Sequence, residues 1–158
     1  MIIVDSREKK WSHIQKYFDT HGIEYTVKKN DVADYILDGR PEISVDRKQH
    51  LGEILMNLCS KDSSRFWREL RLAYQRHIKI VFLIEINKVK VDGQWRDVKS
   101  IADVAACGWQ SKYSRVTCRE LADKMFKAVM AYGIEFRFVG KRQSGAEICR
   151  ILGATKCT

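Results

Sequence analysis

The chain has 158 residues and carries 29 Lys and Arg against 20 Asp and Glu, a formal net charge of +9. This length suits one globular domain, and a composition 45% hydrophobic and 10% aromatic with a single Pro excludes a disordered or Pro-rich chain. The longest apolar run, Ile80 to Ile84, is far shorter than the ~20 residues of a membrane helix, and the opening Ile2-Ile3-Val4-Asp5 lacks the basic and apolar regions of a secretion signal.

In chain order, Ile2 to Val4 predicts a buried strand ending in Asp5. Trp11, Ile14, Tyr17 and Phe18 share one helical face, and His21-Gly22 ends that helix. Three short strands follow, at 24–27, 35–37 and 43–45, with Asp38-Gly39 as a tight turn between the last two. A short helix is expected over Leu51 to Leu58. A longer one, capped by Ser63 or Ser64, runs to about His77, with Phe66, Leu70, Ala73 and His77 on its core side. Ile78 to Ile86 reads as a central strand. Val89, Val91 and Trp95 around Asp92-Gly93 suggest a hairpin, followed by a short helix over 101–106. Thr117 and Glu120 form a capping box for a helix that stops at Gly133. A strand over 134–139 and a helix over 146–152 complete an α/β order, with a mixed sheet and helices on both sides.

Acidic residues fall at the ends of the first β elements: Asp5, Glu8, Asp34 and Asp46, the last followed two residues later by Lys48. On a strand, alternation turns Asp46 and Lys48 to the same face. Phosphodiester hydrolysis needs that pairing. A hard divalent cation such as Mg²⁺ takes oxygen ligands and keeps several waters, so one or two carboxylates hold it against a phosphate. The cation activates a water and stabilises developing charge, and a Lys shields the same charge. Asp34 and Asp46, on adjacent strands of one hairpin, are able to meet at such an ion. Taken alone, Asp46-Arg47-Lys48 more often describes a cross-strand salt bridge at a sheet edge.

The context of these residues resembles a known family. Val4-Asp5-Ser6-Arg7-Glu8 is similar to the V-D-x-R-E opening of the XPF-type (xeroderma pigmentosum group F) structure-specific endonuclease domain. His21-Gly22-Ile23 resembles its R-G-I, and Val32-Ala33-Asp34-Tyr35-Ile36-Leu37 resembles its V-G-D-Y-I-L. Val45-Asp46-Arg47-Lys48 stands where the family has V-E-R-K, and Phe82-Leu83-Ile84-Glu85 resembles its L-L-I-E. Two departures stand out: Ala33 replaces Gly, and Asp46 replaces Glu.

The resemblance implies a restriction-endonuclease-like PD-(D/E)xK core that requires Mg²⁺ or Mn²⁺ and cuts branched or junction DNA in recombination or repair. The alternative is a catalytically weakened DNA-binding or partner subunit. It implies Asp34, Asp46 and Glu8 as metal ligands, with Asp5 close by and Lys48 catalytic. Arg7 and Arg47 would support the site near phosphate or carboxylates, as nucleic-acid contacts. Lys61, Arg65 and Arg68, which precede and line a helix flanking the site, either contact DNA backbone or form a solvated face. The chain is expected to be a single nuclease domain over 1–158, without the helicase or helix-hairpin-helix domains of longer relatives and similar to versions encoded by phages and prophages. A homodimer is expected, with the interface between Trp95 and Ile151.

The other features are blander. Cys59, Cys107, Cys118, Cys149 and Cys157 contain no C-x-x-C pair and read as reduced, mostly buried thiols of a cytosolic protein. The four histidines show no zinc spacing. No Gly-rich phosphate loop points to a nucleotide cofactor, and no segment points to a membrane. Trp95 and Trp109 read as core or interface residues rather than base-stacking groups. The basic residues between Lys112 and Arg142 are interleaved with Glu120 and Asp123 and read as a solvated face. The surplus of +9 itself nominates a polyanionic partner.

Overall fold

Strand β1 (Ile2–Asp5) is buried along its whole length and sits between two dissimilar partners. One is β2 (Tyr25–Lys28), which runs parallel to it after helix α1 (Ser12–His21). The other is β3 (Tyr35–Leu37), which runs antiparallel. Strand β4 (Arg40–Lys48) folds back on β3, and helices α2 (Leu51–Cys59) and α3 (Ser63–Gln75) then carry the chain to β5 (Lys79–Ile84), parallel to β4. After the hairpin β6 (Lys88–Val91) and β7 (Gln94–Asp97) come α4 (Ile101–Ala106), α5 (Cys118–Tyr132), β8 (Glu135–Phe138) and α6 (Ser144–Leu152). The sheet order is β2-β1-β3-β4-β5-β8, the mixed sheet expected from the sequence. The computed structural model describes residues 1–154; Cys157 lies outside them.

Local chemistry explains the boundaries. Thr117 Oγ1 accepts from the Glu120 amide at 3.2 Å while Glu120 Oε2 accepts from the Thr117 amide at 2.7 Å, closing the capping box. Gly22 and Gly133, at φ 64° and 62°, end α1 and α5 in the left-handed conformation that a side chain disfavours. Two expectations need correction. Ser63 and Ser64 lie inside the first turn of α3, and Asp62 holds the capping position without a side-chain bond. His77 lies beyond the helix, exposed and at φ 56°, because the chain must reverse there to enter β5.

The core forms two layers. Val4, Phe18, Tyr35, Val45, Leu83 and Ile148 pack beneath α1 and α6. Phe66, Leu70, Phe82, Ile84, Leu121 and Met125 pack on the opposite face, beneath α2, α3 and α5. Strand β5 is apolar on both faces because both are covered. Trp109 packs against the second layer, whereas Trp95 is 66% exposed. Cys107 and Cys149 are buried, and Cys59 and Cys118 are half-buried. Among the described residues, no helix is long and apolar enough to cross a membrane.

Candidate active site

The period of two along β4 builds the site. Val45 and Arg47 point toward α1 and α6, while Asp46 and Lys48 point to the face of Phe82. Lys48 Nζ lies 2.7 Å from Asp46 Oδ1 and 5.8 Å from the Phe82 ring centre. The 2.7 Å contact is an ion pair, yet buried Asp46 Oδ1 has no donor in a hydrogen-bonding direction. Burial alone would lower the Lys48 ammonium, but Asp46, Asp34 and Glu53 outweigh it and hold it above its ordinary value.

Asp34 reaches this spot from the start of β3. Its amide donates to Val45 O at 3.0 Å and its carbonyl accepts from the Asp5 amide at 2.7 Å, so the backbone is fixed from both sides. Its Oδ2 accepts from the Arg47 amide at 2.8 Å. Burial, and then the charges of Asp46 and Glu8, push the Asp34 carboxyl up to about 9. Ala33, immediately before it, has φ 57°. That is the left-handed region, which glycine adopts without strain.

Beneath this surface lies an ionic network. The Arg47 side chain is 2% exposed and pairs with Glu8 at 2.5 Å and with Glu85, while Lys9 O accepts a further bond at 2.6 Å. Glu85 Oε2 also meets His13 Nε2 at 2.5 Å and accepts from Ser144 Oγ at 2.5 Å. Burial would lift the Glu85 carboxyl, but Ser144, His13 and Arg47 hold it below its ordinary value. Strand β4, the loop after β1, the end of β5 and the starts of α1 and α6 are thereby tied at one point.

Asp34 and Asp46 present hard oxygen donors of the kind a divalent cation takes. The strongly raised Asp34 carboxyl reflects the negative charge gathered there by Asp46 and Glu8. Among the described residues, no three His, Cys, Asp or Glu side chains stand grouped as metal ligands. Glu8 is ion-paired with Arg47 and Asp46 with Lys48.

The family model for the ERCC4 domain matches residues 4–151. The chain belongs to the ERCC4 domain family. Among solved structures it is similar to XPF from Aeropyrum pernix, with a TM-score of 0.67 at 15% identity over 96% of this chain and 59% of that one. A second structure of XPF from Aeropyrum pernix, a complex with DNA, matches with a TM-score of 0.66 at 16% identity over 96% of this chain and 62% of the other. The ERCC4 domain described here therefore spans about three fifths of the length of those chains, and the likeness establishes the restriction-endonuclease-like fold. No curated protein matches the chain.

Within this ERCC4 domain the predicted residues fall into three groups. Asp34, Asp46 and Lys48 converge, with Glu8 near enough for its charge to act on Asp34. Asp5 is an anchor: its oxygens accept from the Arg7 amide at 2.6 Å, Arg7 Nε at 2.9 Å and the Asn30 amide at 2.9 Å, and Arg7 first of all holds its carboxyl down at about 2. Arg7 is 66% exposed at its side chain and faces solvent beside the site. Lys61, Arg65 and Arg68 are exposed at the start of α3, Arg65 paired with Glu69 at 3.1 Å. Arg47, expected near phosphate or carboxylates, lies against carboxylates, with both ends of its guanidinium bound to Glu8 and Glu85. Glu85 was marked by the Phe82-Leu83-Ile84-Glu85 resemblance but given no role, and His13 and Ser144 were not foreseen.

Proposed function

We propose that this chain is a metal-dependent, structure-specific endonuclease that hydrolyses phosphodiester bonds in branched DNA (flaps, forks or four-way junctions) in recombination or repair. The observation that carries the proposal is the convergence of Asp34, Asp46 and Lys48 at the start of β3 and the end of β4, in the middle of the sheet, in a chain of net charge +9. Asp34 and Asp46 would hold the cation, with Glu8 beside them. Mg²⁺ or Mn²⁺, when bound, supplies Lewis acidity and an activated water. Lys48, kept charged by its neighbours, neutralises a non-bridging phosphate oxygen and orients the attacking water. Arg47 locks the backbone that carries Asp46 and Lys48, and its amide orients Asp34.

Exposed Arg7, Lys61, Arg65 and Arg68 supply backbone contacts that draw DNA to the acidic centre. A homodimer formed through the region from Trp95 to Ile151 extends that surface. The exposed Phe126 and Met130 on α5, at 57% and 70%, support this assignment. The test is a panel of labelled flap, fork, four-way junction and blunt duplex with Mg²⁺ or Mn²⁺. Branched substrates are cut, and Lys48→Ala slows cutting by about 10²-fold or more. Tight binding of branched DNA without cleavage under any metal would instead select a non-catalytic DNA-binding subunit.

A further inference from the structure

The sheet face that carries Asp46 is only partly covered. Helix α3 packs on β5, and the neighbouring half, formed by β1, β3 and β4, opens into a cavity of about 320 Å³. Its floor includes Ile3 and Ile36, and its rim carries Lys28, Lys29 and Arg76. Ser44 also lines it. This side chain is 0% exposed, and its hydroxyl has no hydrogen-bond partner. Ser44, Asp46 and Lys48 occupy alternate positions of β4, so all three face the same side of the sheet. A smaller cavity of about 140 Å³, lined by Ala33, Asp46 and Arg76, lies between the first cavity and the site and shares Val32, Asp31 and Arg76 with it.

We propose that the larger cavity receives an unpaired nucleotide of the DNA substrate, its base against Ile36 and the Ser44 hydroxyl and its flanking phosphates against Lys28, Lys29 and Arg76. The direction of the strand, toward Asp46, rests on the nuclease reading above. Three cations against one carboxylate, Asp31, favour a phosphate backbone over an acidic or neutral ligand. None of those cations takes part in an ion pair among the described residues. A recessed hydroxyl above apolar side chains suits a base edge and face, and stacked duplex bases do not enter such a recess. The subsite therefore selects the single-stranded arm of a branched molecule.

The test is fluorescence anisotropy of the full chain with labelled oligodeoxythymidylate of about 12 nucleotides and with a blunt duplex, in EDTA. Because the DNA stays uncut, this measurement stands or falls separately from cleavage. The combined Lys28→Ala, Lys29→Ala and Arg76→Ala variant is expected to bind the oligonucleotide more weakly, its log–log salt slope falling by about 2. Ser44→Ala is expected to weaken oligonucleotide binding about fivefold with the salt slope unchanged, and both variants retain more of their duplex affinity. Unchanged oligonucleotide affinity in both variants, or an equal loss on the blunt duplex, would overturn the assignment.

Discussion

Ala33 and Asp34 stand side by side, and each is held in a state its chemistry disfavours. At φ 57°, Ala33 carries the strain of the left-handed region. Ala33→Gly is expected to raise stability by about 0.5–1 kcal/mol without loss of the site, as read by denaturant unfolding. Lower stability would show that the methyl group contributes packing worth more than the strain. Asp34 makes a pH prediction. In the unfolded chain its carboxyl ionises near 3.8, whereas in the fold burial and the charges of Asp46 and Glu8 hold it up to about 9. Between those values the folded state keeps a proton that the unfolded chain has lost, so stability without divalent cations falls as pH rises from about 4 to about 9. Asp34→Asn removes that component. Its melting temperature at pH 8 should exceed the parent's by about 2–6 °C, with the difference closing toward pH 4. An equal slope in both proteins would show that Asp34 is ionised in the fold.

The elements are held together by features that tolerate little change. Arg47 joins the loop after β1, through Glu8, to the end of β5, through Glu85, which in turn binds α1 and α6 through His13 and Ser144. Arg47→Ala leaves two buried carboxylates without their cation and is expected to cost about 3–5 kcal/mol. A loss below 1 kcal/mol in thermal or denaturant unfolding would mean that water replaces the guanidinium. The contact between α1 and α6 is similarly tight. A Cβ on Gly145 would come within 2.6 Å of Tyr17 Cβ, near the backbone of α1, where no flexible side-chain end is present to yield. Gly145→Ala is expected to destabilise by about 1–3 kcal/mol. It should also loosen Ser144 from Glu85, and amide exchange over α6 would report this as reduced protection.

For the whole molecule, legibility follows the distance over which the governing interaction acts. The shared face of Asp46 and Lys48 was readable because strand alternation is local, as were the capping box at Thr117 and the stop at Gly133. Asp34 was readable through the hairpin that sets it beside β4. The fate of Arg47 was not, since its partners lie 39 residues before it and 38 after it, and only the sheet order brings them together. For Asp5 the contacts are mixed: Arg7, two residues on, and the amide of Asn30, 25 residues on, together engage both oxygens. The open half-face above Ser44 depends on where α3 stops relative to β1 and β3, which no periodicity records. The most direct measurement of the central claim is single-turnover cleavage of a labelled flap with Mg²⁺ by the parent chain and by Asp46→Asn. The parent should cut near the branch and stop on addition of EDTA, and Asp46→Asn should bind the flap and leave it intact. Cleavage by Asp46→Asn at the parent's rate would contradict the account.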